Sequence, residues 1–162
     1  MEQLTMFQPP YKYIIDTSAL LSQKHDRDYR RSVFKSYWDK TDEYIKSGII
    51  VTCSEVDEEI GDPEIQKLFH SLLPTVLPID YTTQDNVRKI VTENPKMIEF
   101  TQNGKGSSSG DAFLIATAMQ YGLVVITQEN QTNARKIPQI CKAYGIEAIS
   151  IIEFWERENF GE

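Results

Sequence analysis

The chain has 162 residues, 40% of them hydrophobic and 25% charged, the balance of a single domain over 1–162 and not of a disordered polymer. Its two cysteines, Cys53 and Cys141, lie in neither a CxxC nor a CxxH spacing, which argues against a disulfide framework and a structural zinc. A net charge of −7 argues against a protein that coats nucleic acid through its phosphates, but does not exclude an enzyme that gathers carboxylates around a cation.

The amino terminus lacks a basic-then-apolar leader and every apolar run is short, so a cytoplasmic protein without a membrane span is expected. In chain order, Tyr13-Ile14-Ile15 reads as a buried strand ending at Asp16. A helix is predicted over 31–47, stopped by Gly48, and a strand over 49–52. Ser54 and Asp57 match a capping box that opens a helix through Ile60. Pro63 starts a helix that Pro74 ends, and a weak strand covers 76–79. Thr83 caps a helix through Val91, and Asn94-Pro95 opens another short one. QNGKGSSSG at 102–110 is a Gly/Ser loop. Beyond it come a helix over 111–121, the clearest strand at 123–127, a helix over 132–144, a strand over 148–151 and a closing helix from Glu153.

Strands that alternate with helices imply an α/β fold, with a mostly parallel sheet covered on both faces. In such sheets functional groups collect beyond the carboxyl ends of the strands. Asp16 follows the first strand, Glu129 follows the strand ending at Thr127, and Asp111 opens the helix leading into that strand. Glu59, or Glu55 one turn earlier on the same helix face, is a fourth acid. A lone Asp at a strand end or helix start is commonly only a cap, but an unpaired carboxylate after so apolar a strand as that before Asp16 is costly. Four carboxylates in one cleft repel, and a hard divalent ion such as Mg²⁺ relieves that repulsion while keeping waters for a substrate phosphate. The hydroxyls of Thr17, Ser18 and Thr127 lie beside these acids and are placed to orient a water or a carboxylate.

YIIDTSALL, SEVDEEIG and GDAFLIATAMQYGLVVITQE, in that order, resemble the motif set of the PIN-domain nucleases (the superfamily of VapC-like toxins). The match forms a motif core over 13–129, and the helix–strand–helix segment at 131–160 looks closest to an uncharacterised PIN-like family of small prokaryotic proteins. The resemblance implies a three-layer α/β/α sandwich and a Mg²⁺- or Mn²⁺-dependent endoribonuclease that cleaves single-stranded RNA. It implies the toxin half of a toxin–antitoxin pair, with an antitoxin protein as partner and a homodimer as one assembly. Residue by residue it places catalysis and metal binding on Asp16, Glu59, Asp111 and Glu129. The last acid is Glu where the family more often has Asp, and Glu55 competes with Glu59 for the second position.

Lys24 to Lys35, with Tyr37 and Trp38, is the one basic stretch interleaved with aromatics, and Arg27, Arg30, Arg31 and Lys35 are its candidate RNA contacts. The plain alternative is a solvated loop and helix start with Trp38 in the core. Two other functions compete with the nuclease. One is a non-catalytic PIN-like interaction module, against which the four acids argue. The other is phosphotransfer through Asp16, against which Ser18 argues by standing where a phosphatase carries its second Asp.

Overall fold

Residues 9–95, 109–133 and 136–161 are described in the computed structural model. Five short strands make one parallel sheet: β1 (Tyr13–Ile15), β2 (Ile50–Cys53), β3 (Thr75–Leu77), β4 (Val124–Ile126) and β5 (Ala148–Ile149), in the order β3-β2-β1-β4-β5. The central strands read as unbroken apolar runs because both faces of the sheet are covered.

Successive side chains point to opposite faces. Ile14, Val51, Cys53, Leu77 and Val125 enter one core, under α3 (Ser54–Glu58), α5 (Tyr81–Glu93), α6 (Ser109–Tyr121) and α7 (Ile137–Ala143). Tyr13, Ile15, Ile50, Ile126 and Ile149 enter the other, under α1 (Thr17–Leu21), α2 (Lys35–Lys46), α4 (Pro63–Ser71) and α8 (Ile151–Arg157). The result is the α/β/α sandwich expected from the sequence. On the second face Phe154 packs edge-to-face with Tyr13 and Phe160, and Trp155 with Tyr29 and Trp38. Glu158, just past α8, ties that layer to the sheet by accepting from Tyr13 Oη, from Tyr44 Oη at 2.6 Å and from Lys12 Nζ at 3.0 Å.

Several element bounds differ from the sequence reading, each for a local reason. The helix predicted from 31 begins at Lys35, because the backbone turns through Arg30, whose carbonyl accepts from both Val33 N and Phe34 N. The expected Ser54–Asp57 capping box is absent: Cys53 is the cap residue and makes no side-chain bond to the helix. Asp62 and Asp80 cap α4 and α5 instead, accepting from Ile65 N at 3.0 Å and Thr83 N at 2.9 Å. The last strand stops at Ile149 because Ser150 and Glu153 form a capping box that starts α8 two residues earlier than expected. Helix α7 begins at Ile137, not Thr132, since the Asn130 side chain folds back onto Thr132 N and Asn133 N as a turn. The short α1 after Asp16 was not expected at all. The helix predicted to follow Asn94-Pro95 and most of the Gly/Ser loop fall outside the described residues. Among the described residues no helix is long and apolar enough to cross a membrane.

Candidate active site

In this sheet order, β1 is followed in sequence by β2 on one side and flanked by β4 on the other. The crevice at the carboxyl ends of β1 and β4 is therefore the topological switch point, where open α/β sheets place their ligands. Ile15 pairs with Ile126, so Asp16 and Thr127 leave the sheet side by side, and Asp16 N donates to Ile126 O at 2.9 Å.

Asp16 is only 5% exposed. Its Oδ2 accepts from Ser18 Oγ at 2.6 Å and from Thr127 Oγ1 at 3.0 Å. Each hydroxyl also accepts from the loop after β4: Gln128 N donates to Ser18 Oγ at 2.9 Å, and Glu129 N donates to Thr127 Oγ1 at 3.1 Å. The carboxylate and the loop carrying Glu129 are thus stitched together through two hydroxyls. Burial raises the Asp16 carboxyl above its ordinary value, against the lowering by those same hydroxyls.

Glu129 is half-buried, and its Oε1 accepts from Ile137 N at 3.2 Å. Its carboxyl is raised by burial and then by the charge of Asp16, while Ile137 N–H and Lys136 pull it down. Asp111, also 5% exposed, lies in the first turn of α6. The three acids share a neighbour that the sequence did not single out. The buried Cys141 thiol of α7 is pushed up to about 12 by burial and by the charges of Asp16, Glu129 and Asp111.

Glu59 is exposed at the end of α3, and its Oε1 accepts from Gly110 N at 3.0 Å. Glu59, and not Glu55, is therefore the α3 acid that reaches the start of α6. Thr17 Oγ1, next to Asp16, is a buried oxygen with no hydrogen-bond partner among the described residues.

The donor chemistry suits a hard cation. The converging groups are carboxylate oxygens, and among the described residues neither Asp16 nor Glu129 forms an ion pair with a Lys or Arg. The spacing is more open than that of a closed metal site: among the described residues no three His, Cys, Asp or Glu side chains are drawn together closely enough to hold an ion.

The basic stretch does not form one free surface. Arg31 makes a fork to both oxygens of Asp42 at 2.8 and 2.9 Å and also holds Gln23 Oε1. Lys35 pairs with Asp39 at 2.7 Å. Arg27 and Arg30 are exposed, with Arg27 3.8 Å from Asp26 and Arg30 Nη1 donating to Arg27 O. Trp38 is fully buried and donates to Tyr29 O, so its ring is core and not a stacking platform.

Solved structures share the fold at low identity. The structure of PAE2754 from Pyrobaculum aerophilum matches with a TM-score of 0.54 and 18% identity, covering 93% of this chain and 92% of that one. DNA-bound VapBC from Salmonella typhimurium matches at 0.52 and 15%, covering 87% and 98%, and FitAcB from Neisseria gonorrhoeae at 0.50 and 15%, covering 86% and 98%. No curated protein matches the chain. By its sequence the chain belongs to the family described as Domain of unknown function (DUF4411), which matches residues 13–161, and its architecture is the PIN-like α/β/α sandwich.

Proposed function

We propose that the chain is a metal-dependent endoribonuclease acting on single-stranded RNA. The observation that carries this reading is the junction at the switch point, where the Ser18 and Thr127 hydroxyls bond both the buried Asp16 carboxylate and the loop carrying Glu129, with Asp111 buried in the first turn of α6 and neither Asp16 nor Glu129 ion-paired among the described residues. Desolvated like charges in one crevice disfavour the ionised state, and a bound cation reverses that preference. In this reading Asp16, Asp111 and Glu129 hold Mg²⁺ or Mn²⁺, which when bound lowers the pKa of a water and draws charge off a phosphate oxygen.

The chain's own residues supply the frame. Ser18 and Thr127 fix Asp16 Oδ2 by donating to it, which leaves the carboxylate oriented by the β1–β4 register. The same hydroxyls anchor the amides of Gln128 and Glu129, so the loop after β4 cannot drift from Asp16. Exposed Arg27 and Arg30 are the phosphate contacts left once Arg31 and Lys35 are assigned to Asp42 and Asp39. A toxin role with a partner protein is supported by the similarity to the FitAcB and VapBC complexes.

The test is cleavage of a labelled single-stranded RNA with Mn²⁺, by wild type and by Asp16→Asn. The reading expects slow, chelator-sensitive cleavage that falls at least about a hundredfold in the variant, in line with the loss of an electrostatic catalytic group. Equal cleavage by both proteins would remove Asp16 from the chemistry.

A further inference from the structure

Gly110 is the second residue of α6, in its first turn. Its backbone is ordinary helix, so no left-handed turn requires a glycine there. What lies where a side chain would stand is a carboxylate, which an alanine there would displace. A Cβ at position 110 would stand 2.6 Å from Glu59 Cδ and closer still to Oε2, while Glu59 Oε1 accepts from Gly110 N at 3.0 Å. Glu59 therefore occupies the space of a missing side chain and grips an amide of the first turn. Those amides lack intrahelical partners, and the positive end of the helix dipole favours an anion there.

We propose that Glu59 is a positioning residue: its carboxylate clamps the N-terminus of α6 through Gly110 and so sets Asp111, the next residue, from α3. The clamp joins two elements that enter the crevice from different strands, since α3 follows β2 and α6 leads into β4. The inference rests on the reading of Asp16, Asp111 and Glu129 as a cation site, but it gives Glu59 a different task from theirs. A ligand needs its charge. A clamp needs an acceptor oxygen at the amide, which glutamine also has.

The experiment compares Glu59→Gln, Glu59→Ala, Gly110→Ala and the Glu59→Ala/Gly110→Ala double variant of the full chain. Mn²⁺ affinity is read by calorimetric titration, and melting temperature is read without metal. Glu59→Gln is expected to bind Mn²⁺ within about threefold of wild type, and Glu59→Ala about tenfold or more weakly, the usual loss when a group supporting a ligand is removed. Without metal, Gly110→Ala should lower the melting temperature in the wild-type background, where the new methyl meets the carboxylate. In the Glu59→Ala background the same change should be neutral or stabilising, so the pair is non-additive. Equal loss of Mn²⁺ affinity in Glu59→Gln and Glu59→Ala, or additive melting temperatures, would overturn the clamp. A wild-type protein that binds no Mn²⁺ would overturn the cation-site reading, and the metal-free coupling between positions 59 and 110 would then decide the clamp on its own.

Discussion

Thr127 Oγ1 donates to Asp16 Oδ2 at 3.0 Å and accepts from Glu129 N at 3.1 Å, so one hydroxyl holds two of the candidate acids at a fixed separation in the chain fold. Thr127 is fully buried; its bond to Asp16 crosses the β1–β4 junction, and its bond from Glu129 N closes the turn after β4. Thr127→Val keeps the volume and removes both bonds. It should cost about 1–3 kcal/mol, because a buried carboxylate loses a donor and an amide loses an acceptor. Urea denaturation checks this, and a variant as stable as wild type would mean that water replaces the hydroxyl without loss.

Asp16→Asn should act in the opposite direction on the metal-free protein. The carboxyl is raised by burial, so its ionised form is unfavourable in the fold, and Asn keeps an oxygen that can accept from Ser18 and Thr127. A gain of about 1 kcal/mol at neutral pH, a rise of a few degrees in melting temperature, is expected. Addition of Mn²⁺ should stabilise wild type by mass action and leave the variant unmoved. A wild-type melting temperature indifferent to Mn²⁺ would count against a site.

Arg31 is tied into the fold. Its fork on Asp42 and its grip on Gln23 hold the turn before α2. Arg31→Ala should lower stability by about 1–2 kcal/mol, the scale of a bidentate charged pair with partial burial. Reversal of exposed Arg27 and Arg30 to Glu should instead weaken RNA binding at unchanged Mn²⁺ affinity and unchanged melting temperature. Filter binding beside thermal melts separates the two effects.

The Glu158 cluster sets a pH dependence away from the crevice. Burial raises the Glu158 carboxyl, but the hydroxyls of Tyr13 and Tyr44 and the ammonium of Lys12 more than offset it, and its pKa falls below the ordinary 4.5. Its stabilisation is therefore present above that value and is lost as pH falls through the depressed one. Tyr44 behaves in the opposite sense: its hydroxyl is pushed up to about 12 by the bond to Glu158 and by burial. That stabilisation is present below its ordinary value of 10.0 and is lost as pH climbs towards 12. Tyr44→Phe should flatten the alkaline limb and weaken the acid limb of a urea-midpoint profile. An unchanged profile would remove the cluster from the stability balance.

The order of strands and helices was legible because apolar runs and helical spacing report burial directly, as in Tyr13-Ile14-Ile15 and the helix after Asp111. Chain topology then set Asp16 and Glu129 beyond the ends of β1 and β4 and Asp111 in the first turn of the helix that leads into β4. Bounds failed where a side chain decides them locally: Asn130 delays α7, Ser150 advances α8, and Asp80 takes the capping place expected of Thr83. The pairing within the basic stretch was not legible, because counting Arg and Lys does not reveal which of them already face Asp39 and Asp42 one or two turns along α2. Gly110 and Cys141 carried no signal in one sequence. Their significance lies in their surroundings: Gly110 leaves room for the Glu59 carboxylate, and burial and the charge of nearby acids push up the Cys141 thiol.

The most direct test of the central claim is a crystal of the protein soaked in Mn²⁺ and measured at the manganese absorption edge. The account predicts an anomalous peak in the crevice between β1 and β4, at coordinating distance, roughly 2.2 Å, from oxygens of Asp16, Asp111 and Glu129. No peak there, or a peak held by other residues, would contradict it.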